Sequence, residues 1–152
     1  MSTIVDGVDA FHEFAGQELG HTEWQTITQE RVNLFAEATD DHQWIHVDPA
    51  RAKEGPFGVA IAHGYLTLSL LPRLAPTLMT IAKRRRGLNY GSNKIRFISP
   101  VPAGARIRLR QRLMNAEPVD DNGIRVTSQM TMEVEGSERP AMVAETISVV
   151  YG

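Results

Sequence analysis

A chain of 152 residues, 42% hydrophobic and 22% charged, is one ordinary globular domain rather than a disordered or low-complexity scaffold. With no cysteine, it has no disulfide framework, no thiolate metal site and no cysteine nucleophile. The net charge of −2 hides a segregation: residues 1–54 carry three Lys/Arg against eleven Asp/Glu, residues 55–116 eleven against none, and residues 117–152 two against seven.

Met1 to Phe14 carries Asp6, Asp9 and Glu13 and lacks the basic start and apolar run of a signal peptide, so a cytoplasmic protein is expected. Thr22 to Ile27 reads as a short strand. Thr28 is then an N-cap, and Val32, Phe35, Ala36 and Thr39 recur at helical spacing to about Thr39. Asp48-Pro49 signals a second helix start, with Asp as cap and proline at the first position. Between them, Asp40 to Val47 is expected to be a loop.

From Gly64 the spacing predicts a long helix, with leucines at 66, 68, 70, 71, 74 and 78 on nearly every face, as in a buried helix. Pro72 should bend or break it near Leu71, and the run Lys83 to Arg86 should close it, with Gly87 as the stop. Val59 to Met79 is too interrupted for a membrane span, since His63, Pro72, Arg73 and Pro76 fall within it. Strands follow at Ile95–Ser99, then at Ile107 and Leu109, which alternate with arginines 106, 108, 110 and 112. Asp120-Asp121-Asn122-Gly123 is a hairpin turn into Ile124, Val126, Ser128, Met130, Met132 and Val134, and Ala141 to Tyr151 makes the last strand. Long antiparallel strands after one apolar helix give an α+β class, a sheet wrapped around that helix in a single domain over 1–152.

Two groups suit chemistry next to a carbonyl. Asp41 and His46 lie five residues apart in a loop bounded by helix signals, and such a pair can converge on one substrate and transfer a proton in either direction. Ala62-His63-Gly64 opens the buried helix, where free backbone N–H groups polarise a carbonyl and glycine permits close approach. Each alone is better read as ordinary caps, loop residues or a packing glycine than as catalysis; it is the combination that suits chemistry. A metal set of Asp41, His42 and His46 is weaker, because no further ligand cluster accompanies it, and no metal or cofactor is expected. The basic middle suits the phosphates of a small molecule at least as well as nucleic acid, for which aromatic interleaving is sparse.

Thr39 to His46 resembles the hydratase motif of the MaoC-like, R-specific enoyl-CoA hydratases, G-D-x-N-P-[IL]-H. His63-Gly64-Tyr65-Leu66 is similar to their opening of the central helix, and Arg96-Phe97 with Pro100-Val101 and Gly104 to their R-F-x-x-P-V-x-x-G strand. Phe35 to Thr39 and Gln43 to Pro49 look closest to the nodulation-protein-N-like branch. The resemblance implies a hot-dog fold, a homodimer with joined sheets, and reversible hydration of a trans-2-enoyl-CoA to the (R)-3-hydroxyacyl-CoA. Carried over, Asp41 and His46 hold the water and shuttle its proton, and the Gly64 N–H polarises the thioester carbonyl. Gln43 and His63 contact substrate, and Lys94 and Arg96 meet the phosphates of coenzyme A. A hot-dog acyl-CoA thioesterase and a non-catalytic acyl-CoA-binding module stand as alternatives. The chain departs from the pattern at Gln43 and Trp44, and at Asp40, where the family usually has glycine. A left-handed backbone there would tax Asp40, and its charge beside Asp41 would reduce activity or move the pH optimum.

Overall fold

The computed structural model describes residues 2–152. A strand β1 (Thr3–Val5) and a 3-10 turn over Val8–Phe14 open the chain. Next come β2 (Glu18–His21) and β3 (Gln25–Thr26) where one strand over 22–27 is predicted. The pairing is interrupted at Thr22, whose Oγ1 accepts the Leu109 N–H at 3.0 Å in place of a backbone carbonyl. The first helix, α1 (Gln29–Thr39), starts as predicted, with Thr28 Oγ1 accepting the Arg31 N–H at 3.1 Å. The expected loop contains a single helical turn, α2 (Trp44–Val47), before α3 (Pro49–Lys53), which Asp48 caps by accepting the Arg51 N–H.

The long helix is not continuous. It comprises α4 (Gly64–Ser69), α5 (Leu71–Leu74) and a 3-10 turn over Ala75–Thr77. Pro72 and Pro76 lack the N–H that an unbroken ladder needs, so the helix resets twice and tapers out. Met79–Ile81 is then a strand, β4, pairing in parallel with β1. The basic run consequently lies in a turn, with Lys83 at φ 60°, and at the start of β5 (Arg86–Phe97), not at a helix end.

The remaining strands, β6 (Arg106–Val119), β7 (Gly123–Val134) and β8 (Met142–Tyr151), match the alternating segments. Asp121 and Asn122 both take positive φ in the hairpin, as the Asp-Asn-Gly signal predicts. The antiparallel sheet runs β2-β6-β7-β8-β5, with β3 also pairing with β6. Leu66, Leu71, Leu74 and Leu78 bury themselves against Ile107, Leu109, Met132 and Met142 on one face of this sheet. A second cluster packs Val5, Val8 and Phe11 onto Leu113, Ile124 and Val126.

The charge segregation largely resolves by pairing of the flanks with the middle. Arg106 meets Glu135, Arg108 meets Glu133 at 2.6 Å, Arg85 and Arg86 share Asp121, and Lys83 meets Asp6 at 3.1 Å. No helix among the described residues is long and apolar enough to cross a membrane.

Candidate functional site

Asp40 ends α1 in the left-handed region, φ 59° and ψ 20°, where an L-residue is strained and glycine is at ease. That reversal releases Asp41 toward α2. The Asp41 carboxylate accepts the Gln43 N–H at 3.4 Å in a local turn that starts the short helix. Asp40 and Asp41 are both exposed, so water screens the repulsion between them.

His46 is buried on α2, at 7% exposure. Its Nδ1 lies 2.7 Å from the Ile61 carbonyl. A carbonyl only accepts, so Nδ1 carries the proton and Nε2 keeps its lone pair. Burial pushes the His46 pKa below the ordinary imidazole value, and His63 adds to this, while the Ile61 carbonyl and Asp41 oppose it. The neutral, Nε2-basic form is therefore favoured.

His63 occupies the N-cap position of α4 without a capping side-chain bond and is 2% exposed. Its Nε2–H donates to the Asp41 backbone carbonyl at 2.9 Å, which leaves Nδ1 buried with no partner among the described residues. The His46 and His63 rings stack, with centroids 3.8 Å apart and planes 24° apart, and Phe35 packs on His63 at 4.9 Å. One donor atom from each of Asp41, His46 and His63 lies within 4.8 Å of the others. Sequence reasoning places Asp41 with His46 but misses His63 as the third member of this cluster. Only the fold brings residue 63 under residue 41. His42, by contrast, turns out to Glu37 at 2.6 Å. The three-residue set suits water better than a metal. A zinc ion sits about 2.0–2.1 Å from each nitrogen in its ring plane, and two stacked, nearly parallel planes do not share such a point.

Gly64 is the first residue of α4, so its N–H has no helical acceptor. No backbone carbonyl among the described residues takes it. A Cβ built there would lie 3.0 Å from the Phe97 ring, so the side-chain-free backbone is what lets strand β5 close over this helix end. His46, Gly64, Thr67 and Phe97 together line a cavity of about 240 Å³. Thr67 and Phe97 are additional wall residues. The sequence signal for Thr67 is its place one turn beyond Gly64.

The other predicted residues are placed less centrally. Gln43 is exposed and contributes its backbone to the turn. Lys94 and Arg96 are exposed on edge strand β5 and pair across from Glu145 and Val143. They therefore face away from Ile95 and Phe97, which line cavities, and the single chain does not bring them to Asp41 and His46.

The family model described as a MaoC like domain matches residues 10–136. The chain is 53% identical over 133 residues to 3-hydroxyacyl-thioester dehydratase Z of Mycobacterium tuberculosis, covering 88% of each. It is 46% identical over 137 residues to nodulation protein N of Rhizobium leguminosarum, covering 89% of this chain and 85% of that one. Among solved structures, the monoamine oxidase regulatory protein of Archaeoglobus superposes with a TM-score of 0.78 at 21% identity, covering 99% of this chain and 97% of that one.

Proposed function

The chain belongs to the MaoC-like dehydratase family, and from that premise we propose that it adds water across a trans-2-enoyl thioester to give the (R)-3-hydroxyacyl thioester, and removes it in reverse. Hydration or dehydration of an acyl thioester is the chemistry of this enzyme; the double-bond position, the stereochemistry and the residue roles are our reading.

The observation that carries it is the fixed tautomer of His46 beside Asp41, in a cavity shared with the first N–H of α4. Water held between the Asp41 carboxylate and His46 Nε2 attacks C3 of the enoyl group. Its proton is taken up by the pair and delivered to C2. Electron density moving onto the thioester oxygen meets the Gly64 N–H, and a single donor in such a position is worth about 2.7–4 kcal/mol. His63 holds the loop in place by donating from Nε2 to the Asp41 carbonyl.

We further propose a homodimer formed through the sheets, with coenzyme A or an equivalent phosphopantetheine carrier as the thiol. Strand β5 supports this, because it ends the sheet with Leu88 and Tyr90 exposed at 53% and 63%. Lys94 and Arg96 on the same strand then meet the phosphates of the thioester bound next to the interface. The test is turnover of crotonyl-CoA without release of thiol. Loss of enoyl absorbance with coenzyme A retained supports hydration, and thiol release would identify a thioesterase instead.

A further inference from the structure

The sheet face under the helices should be apolar throughout, and it is not. On β6 the inward positions read Ile107, Leu109, Gln111 and Leu113, and on β7 Val126, Ser128, Met130 and Met132. Gln111 and Ser128 are 7% and 4% exposed, and the Gln111 amide nitrogen donates to Ser128 Oγ at 3.2 Å. Gln111 Oε1 is buried and has no partner among the described residues. Across the sheet, Ser128 stands opposite Thr146, and Thr146 opposite Ser92, so a polar row crosses β7, β8 and β5, and Gln111, opposite Met130 on β6, joins it diagonally at Ser128.

This row is the floor of a cavity of about 860 Å³ whose roof is Leu68 and Leu71 of the broken helix. That volume is within the range of small-molecule sites, about 300–1,000 Å³. Its walls continue those of the reaction cavity. Gly64, Thr67 and Phe97 line the smaller space, and Leu68, Leu71 and Ile95 line the larger, so α4 and β5 run from one into the other.

An unsatisfied buried amide is costly, and a plain alkyl chain in this cavity would leave it so. Whichever way the Gln111 amide is turned, one of its polar atoms meets Ser128 and the other is left over. A hydroxyl both donates and accepts, so it satisfies either orientation, whereas a ketone or ether serves only one. We propose, resting on the enoyl-thioester reading above, that this cavity selects acyl chains carrying a hydroxyl far from the thioester, with Gln111 and Ser128 as the specificity-determining pair. From Phe97, two residues along the sheet and three strands across it reach Gln111, a path of about 16 Å. At about 1.3 Å per carbon of an extended chain, that spans roughly a dozen carbons.

The experiment compares trans-2-dodecenoyl-CoA with its 12-hydroxy form, beside crotonyl-CoA, which is too short to reach the pair. The hydroxylated substrate should show kcat/KM at least about tenfold higher, and Gln111→Leu should bring the ratio of the two close to one. Ser128→Ala should lower the same ratio, and it serves if Gln111→Leu does not fold. Turnover of crotonyl-CoA with no preference for the hydroxylated chain overturns this inference and leaves the hydratase reading standing. No turnover of any enoyl thioester overturns that reading instead. Calorimetric binding of saturated 12-hydroxydodecanoyl-CoA against dodecanoyl-CoA then decides the cavity's selectivity: tighter hydroxyacyl binding supports it, and equal affinity refutes it.

Discussion

Replacing Gly64 with alanine tests the geometry at the carbonyl most sharply. The added Cβ would sit 3.0–3.1 Å from three atoms of the Phe97 ring, against a comfortable carbon–carbon separation of about 3.5–4.0 Å. Phe97 is 46% exposed, so its ring can swing outward by the missing half ångström or so, and folding should survive. Alanine also suits a helical position better than glycine, by up to about 1 kcal/mol. The damage is local: Cβ atoms of a helix tilt toward its N-terminus, where the thioester carbonyl must approach the Gly64 N–H. Excluding the carbonyl from that donor removes up to about 2.7–4 kcal/mol of transition-state stabilisation, or about 10²–10³ in kcat. Steady-state hydration of crotonyl-CoA, with thermal unfolding of the same samples, separates the two effects. A folded Gly64→Ala protein with unchanged kcat would refute the assignment of this N–H.

The remaining predictions concern protonation, backbone strain and charge. Because burial lowers the His46 pKa and the base must be neutral, hydration should persist below the usual imidazole value and fall only as pH drops through the depressed pKa, read from a pH–rate profile. Stability follows the same sign: the contribution of His46 is complete above about pH 6.5 and is lost as pH falls through its folded pKa, and His46→Gln should flatten that slope in urea melts. Asp40→Gly relieves the left-handed strain at φ 59° and should raise Tm by about 1–4 °C, while Asp40→Ala should not. Lys94→Ala combined with Arg96→Ala should raise KM for a coenzyme A thioester severalfold with kcat nearly unchanged, and should weaken the dependence of KM on salt.

Local chemistry made much of this fold legible. The caps at Thr28 and Asp48, the hairpin at Asp121-Asn122 and the alternation through β6, β7 and β8 are each dictated by neighbours in sequence. Asp40 was readable as a left-handed position because a family motif usually has glycine there. Most of β5 was not readable. From Arg86 to Lys94 it is an exposed edge with Gly87 and Gly91 and no buried face, so it carries no period-two signal. The break at Pro72 is legible, but the apolar run through Leu78 and Met79 to the basic residues masks the end at Pro76 and the strand that follows. His63 joins Asp41 across 22 residues, a contact that only tertiary packing creates. The polar pair Gln111 and Ser128 is visible only once the strands are in register, since each alone looks like one lapse in an apolar stripe.

The central claim is that Asp41 and His46 together hydrate an enoyl thioester, and one measurement tests it most directly. Purified protein is given crotonyl-CoA and the loss of enoyl absorbance is followed, beside Asp41→Asn and His46→Gln, with free thiol titrated in each. The account predicts turnover by the unaltered chain, its abolition by both substitutions, and no thiol released. Turnover that survives either substitution, or thiol appearing as the absorbance falls, would contradict it.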